Sequence, residues 1–244
     1  MALLDVRNLH VTFTRKSDSV EAVRGVDLTV ERGQIHGLVG ESGSGKSVTA
    51  RAILGLEAGR GVRVTADRLQ FEESDLLAID EDDFRRLRGS RIAMIFQEPS
   101  KYLNPALTIG RQITEVLSTH RRLAESDAKR RAAELLEMVE LPRAESLLRA
   151  YPHELSGGMK QRALIAMAVS CHPSLLLADE PTTALDVTIQ RQILELLVRL
   201  AADLDMAVLF ISHDLAVVQA IAGCVSVIYA RRILESAAAA ELLE

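Results

Sequence analysis

The chain has 244 residues, 48% hydrophobic but only 3% aromatic with no Trp, so Leu, Val, Ile and Ala must fill the core of one large α/β domain or two small ones sharing a core. A formal net charge of −5 offers no broad basic field for a polyanion, which disfavours nucleic acid as a partner. Cys171 and Cys224 lie far apart without C-x-x-C spacing and read as buried thiols; no apolar run nears a membrane span, and the acidic Asp5 start does not resemble a secretory signal, so a cytosolic address is expected.

In chain order, residues 3–13 alternate as a strand, and 19–30 follow after a polar turn at Lys16–Asp18, which suggests antiparallel pairing. Glu31–Gly33 turns the chain into a short apolar strand at 34–40, then a glycine-rich loop, then helical spacing over 47–58. Further short apolar segments at 90–96, 174–179, 207–212 and 224–230 read as strands buried on both faces of a parallel sheet. Helix patterns at 188–203 and 214–222 alternate with them in the manner of a doubly wound fold. From Asn104 to about Met159 the text is Arg- and Glu-rich, with helical periods at 109–120 and 125–140 and no strand, and reads as a helical insertion. The final Ala-rich stretch is helix-prone.

The loop Gly40, Glu41, Ser42, Gly43, Ser44, Gly45, Lys46, Ser47 fits G-x-x-x-x-G-K-S/T between strand and helix. Its glycines let backbone N–H groups converge on phosphate oxygens, and the helix N-terminus adds positive potential. Lys46 would reach the β- and γ-phosphates, and the Ser47 hydroxyl would ligate Mg²⁺. Asp179 and Glu180 end the apolar strand at 174–179, at the edge where parallel sheets open onto ligand. Asp179 suits the hydrated metal; Glu180 suits the water that attacks the γ-phosphate. Capping of a following helix is the plainer use of such a pair.

Leu155-Ser156-Gly157-Gly158-Met159-Lys160-Gln161-Arg162 resembles the signature loop of ATP-binding-cassette (ABC) proteins, and nearly the whole chain follows their order of motifs. The resemblance implies a P-loop NTPase fold: a mainly parallel α/β sheet, an N-terminal antiparallel β subdomain and an inserted helical subdomain. It places one cassette over 1–244, with 1–96 and 160–244 as ATPase core and 97–159 as the helical part. By the same resemblance Gln97 contacts the metal and the attacking water. His213 touches the γ-phosphate, Ala184-Leu185-Asp186 is the loop that helps join two subunits, and Phe13 stands where relatives stack an aromatic on adenine. Phe13 shares a strand face with Val11 and reads equally as core. Ser156, Gly157 and Gly158 form a second phosphate-binding helix terminus, which the family uses by pairing two cassettes head to tail over ATP.

The wording around Tyr151-Pro-His-Glu154, Ala178 to Gln190 and Gln97 to Pro105 is similar to the dipeptide, oligopeptide and nickel importer ATPases, although Lys101-Tyr102 and Arg231 depart from them. The implied role is an ATPase subunit at the cytoplasmic face of the inner membrane. Its implied partners are a second cassette, two membrane permease subunits and, indirectly, an extracytoplasmic solute-binding protein. Tyr102 and Leu103 are expected to line the docking groove for the permease. The competing reading is a soluble cassette ATPase on nucleic acid or ribosomes; such proteins carry long coiled-coil insertions or two cassettes, which this chain lacks.

Overall fold

The computed structural model describes residues 2–15, 18–57, 59, 61–183 and 185–241. Strands β1 (Ala2–Arg15) and β2 (Asp18–Glu31) pair antiparallel, while residues 16 and 17 of the expected turn lie outside the described residues. Strand β3 (Ile35–Val39) leads through the glycine-rich loop to helix α1 (Lys46–Ile53). This helix stops five residues short of the expected end at 58. Gly55 adopts φ 63°, with the Leu56 N–H on the Arg51 carbonyl at 2.8 Å and the Gly55 N–H on Ala52 at 3.0 Å, a left-handed glycine stop.

Three strands and a helix follow that the sequence reading did not anticipate: β4 (Val62–Thr65), β5 (Arg68–Phe71), β6 (Ser74–Asp75) and α2 (Glu81–Leu87). Strand β1 serves two neighbours on one edge, pairing β5 through Leu4–Arg7 and β4 through His10–Phe13. Asn8 sits between these stretches at φ 51°. With β2 and β6 they complete the antiparallel sheet.

Strand β7 (Ile92–Ile95) enters the helical region: α3 (Pro99–Tyr102), α4 (Ile109–Arg121), α5 (Glu125–Met138), α6 (Ala144–Leu147) and α7 (Gly157–Val169). Helix α7 runs without a break through residues 159 and 160, where the border of the helical part is expected. The chain then alternates β8 (Leu175–Asp179), α8 (Val187–Asp203), β9 (Ala207–Ser212), α9 (Leu215–Gln219), β10 (Cys224–Tyr229) and β11 (Arg232–Ala238). In the second sheet the order is β11-β10-β3-β9-β8-β7, parallel except for β11.

The parallel strands are buried on both faces by strict alternation. Leu38, Ile92, Met94, Leu175, Leu177, Leu209 and Ile211 face the antiparallel sheet and α1, whereas Ala93, Ile95, Leu176, Ala178, Val208 and Phe210 face the helices. Ala237 and Ala238 end strand β11 rather than a helix, because pairing with Val225 and Cys224 outweighs alanine's helical preference. Leu103 is 2% exposed within the helix-side core, so its side chain cannot line a docking groove. Cys171 is buried as expected, but Cys224, at the start of β10, is only half-buried.

A polar ladder crosses the sheet where β11 joins. His36 Nε2 lies 2.8 Å from Ser226 Oγ, and Ser226 Oγ lies 2.6 Å from Ser236 Oγ. Burial pushes the His36 pKa down from 6.5 to about 4. The unfolded chain therefore binds one more proton between those values, so this stabilisation is complete above pH 6.5 and lost as pH falls toward 4; it is on the order of 3 kcal/mol. In urea unfolding, His36→Gln should be less stable than the parent at pH 7, and the gap should close by most of that amount at pH 4. A gap independent of pH would remove His36 from the acid sensitivity.

Candidate nucleotide site

The carboxyl ends of four adjacent strands deliver the site. Cross-strand register sets Val39 beside Ser212, Ile211 beside Asp179, and Ala178 beside Ile95. The residues that follow each strand, the glycine-rich loop, His213, Glu180 and Gln97, therefore meet at one sheet edge. There they line a cavity of about 450 Å³ with Ala22, Ser42, Gly43, Gly45, Lys46, Ser47, Val48 and Arg231.

The loop can be built only with glycine at two places. A Cβ on Gly45, at φ 104°, would sit 2.6 Å from the Ala22 carbonyl, and one on Gly40 would meet the Ile228 carbonyl at 2.1 Å. Lys46 is 4% exposed, and its Nζ donates to the carbonyls of Gly40 and Glu41, each at 2.7 Å. Burial holds its pKa below the usual lysine value, opposed by the carboxylates of Glu180 and Asp179. Among the described residues, Ser44 Oγ is buried without a hydrogen-bond partner. A buried cation and an unpaired hydroxyl in a glycine cradle at a helix N-terminus fit a polyphosphate.

Ser47 Oγ donates to Asp179 Oδ1 at 2.8 Å. Burial raises the Asp179 pKa, with the Ser47 hydrogen bond acting the other way. One carboxylate beside one hydroxyl fits Mg²⁺, which takes few protein ligands and leaves the remainder to phosphate and water; among the described residues no cluster of three His, Cys, Asp or Glu competes for a metal.

Glu180 is the convergence point. Its Oε2 accepts from Gln97 Nε2 at 3.0 Å and from Thr183 Oγ1 at 2.8 Å, and lies 3.5 Å from His213 Nδ1. Its backbone is held at φ 45°, a conformation that costs a non-glycine residue energy and that clusters at functional sites. Asp214, not His213, caps α9, accepting from Ala216 and Val217. That leaves the His213 ring at the cavity. Thr183 escaped the sequence reading, although its place three residues after Glu180 is the spacing of a turn that returns a hydroxyl to the carboxylate.

The other expected residues lie elsewhere. Ser156 caps α7 by accepting from the Met159 N–H at 3.3 Å, and Asp186 caps α8 by accepting from Ile189 at 2.9 Å. A Cβ on Gly158 would sit 2.8 Å from Ile189, so the two caps share one surface, on which Ser156, Gly157 and Asp186 are exposed. None of Ser156, Gly157, Gly158 or Asp186 lines the Lys46 cavity, and Ala184 lies outside the described residues. Phe13 is half-buried against the cluster that contains Val11, across from Val20 and Val62, and does not line the cavity.

The family model described as ABC transporter matches residues 23–183. The oligopeptide transport ATP-binding protein AppD of Bacillus subtilis is 49% identical over 98% of this chain and 73% of its own length. The dipeptide transport ATP-binding protein DppD of Escherichia coli is 49% identical over 97% and 72%. Among solved structures, the dimeric ATP-binding cassette MJ0796 bound to ADP and Pi superposes with a TM-score of 0.82 at 26% identity, over 97% of this chain and 98% of that one.

Proposed function

The chain belongs to the ABC transporter family, and on that premise we propose that it is the ATP-hydrolysing subunit of an importer that takes up peptides or a related small solute through separate membrane subunits. The observation that carries the chemistry is the convergence of Gln97, Thr183 and His213 on Glu180, beside the buried Lys46 and the Ser47–Asp179 pair. Likeness to peptide transport ATP-binding proteins over 97–98% of this chain and 72–73% of their own length supports the cargo class.

In this reading Lys46 and the loop amides hold the phosphates of ATP, the substrate. Ser47, Asp179 and Gln97 would hold Mg²⁺, which supplies charge neutralisation when bound. Glu180 takes a proton from the attacking water, and Gln97 and Thr183, both donating to Oε2, hold the carboxylate in place. His213 steadies charge at the terminal phosphate. The exposed surface of Ser156, Gly157 and Asp186 meets a second cassette, identical or homologous. That pairing would complete the site, since one chain brings only half of it to the Lys46 cavity.

The helical part begins at Gln97, where it hinges against the ATPase core, and its far border lies beyond 159, since α7 crosses that position unbroken. No helix among the described residues is long and apolar enough to cross a membrane, so coupling to transport requires partners. We place the chain at the cytoplasmic face, held by two permease subunits that receive cargo from a solute-binding protein. Tyr102 is 48% exposed and stacks on Phe96 with ring centroids 4.2 Å apart, next to the hinge. Tyr102→Ala should lower co-purification with the permease and transport severalfold while leaving ATP affinity within twofold. Full coupling in that variant would move the docking surface elsewhere. The overall reading is tested by ATPase assays. Stimulation by permease subunits in lipid is expected, without salt-sensitive binding to DNA or RNA, and stimulation by nucleic acid instead would overturn it.

A further inference from the structure

Ala230 and Arg231 form the two-residue loop between β10 and β11, closed by the pairing of Tyr229 with Arg232, and have φ of 47° and 74°. Both central residues are left-handed, the hairpin geometry that glycine and asparagine fill with least strain and that a long side chain adopts at a cost. The backbone's own task there needs no arginine, because the Arg231 carbonyl accepts from the Arg24 backbone N–H at 2.8 Å, a bond any residue could make. A strained residue choice at the rim of a site points to a use for its side chain.

That side chain lines the Lys46 cavity and the smaller one on the outer side of the same loop. Its Nη1 donates to the Glu21 carbonyl at 2.9 Å, which fixes the guanidinium at the rim of the cavity with donors beyond the one this bond uses. The strand order says which end of a ligand it meets. Strands β9, β8 and β7, which carry His213, Glu180 and Gln97, lie on one side of β3, and β10 lies on the other. A triphosphate whose terminal phosphate points to Glu180 therefore leaves its nucleoside on the β10 side, where the lining residues Arg231 and Ala22 stand and where Phe13 does not line the cavity.

We propose that Arg231 is a nucleoside-contacting residue, its planar guanidinium lying against the base of bound ATP; this rests on the ATP-site reading above. Arginine suits the task because its delocalised plane stacks on aromatic faces, which a lysine ammonium does not do.

Calorimetry with ATP and with inorganic triphosphate, on the parent, Arg231→Gly and Arg231→Asn, tests this. Both variants should bind ATP at least about fivefold more weakly, bind triphosphate within twofold of the parent, and melt no lower than the parent, since both residues accept the left-handed backbone. Equal losses for ATP and triphosphate would make Arg231 a phosphate ligand and overturn the assignment, as would unchanged ATP affinity. A parent chain that bound triphosphate but gained nothing from the nucleoside would also overturn it. A parent that bound neither would sink the ATP-site reading itself.

Discussion

Glu180→Gln should slow ATP hydrolysis by about 10²–10⁴ while preserving ATP binding, a loss of about 3–5 kcal/mol of transition-state stabilisation. The substitution is nearly isosteric, and the amide oxygen can still accept from Gln97 Nε2 and Thr183 Oγ1, so the turn that holds residue 180 at φ 45° stays supported. What disappears is an oxygen basic enough to take a proton from water. With the phosphate chain intact and held, the surface of Ser156, Gly157 and Asp186 would stay engaged with a second copy. Gel filtration of the variant at saturating ATP should therefore show a dimer where the parent cycles back to monomer. Hydrolysis at the parental rate, or a monomer under those conditions, would take Glu180 out of the role of base.

The site was more legible in the sequence than the fold around it, and the reason is the range over which each part is specified. Residues 40–47 lie within one loop, where glycine spacing and a terminal Lys-Ser state the chemistry locally. The strands that aim it, 92–95, 175–179 and 207–212, are apolar on both faces and so stand out without knowledge of their neighbours. Strands β4 and β5 are only four residues each and acquire meaning only through β1, about 50 and about 65 residues earlier respectively. Ala237 and Ala238 illustrate the same limit from the other side, since their local preference is helical and only the partner strand reverses it. Leu103 is expected in the docking groove on the strength of its neighbourhood to Gln97, whereas burial in the helix-side core is a tertiary property that no local pattern states. Arg231 stood out as a departure in spelling, but its position at the cavity depends on strand order, which no local pattern contains.

Lys46→Ala should weaken Mg-ATP binding at least tenfold, measured by calorimetry. The ammonium is nearly buried and its described bonds are to two loop carbonyls, which take up two of its three donors but do not neutralise its charge. Burial disfavours that charge and holds the pKa down, and the carboxylates of Glu180 and Asp179 act the other way. An anion entering the loop would therefore meet a cation that is fixed in place and poorly solvated, where each charge-assisted hydrogen bond is worth about 1.5–3 kcal/mol. Removing the ammonium forfeits at least one such bond, and one is enough for the tenfold loss. The fold should not share the penalty, because the variant also escapes the cost of burying an ammonium, so the melting temperature should stay close to the parent's. Unchanged ATP affinity would remove Lys46 from the phosphate site, and a weakened affinity accompanied by a large fall in melting temperature would make the lysine a structural strut of the loop instead.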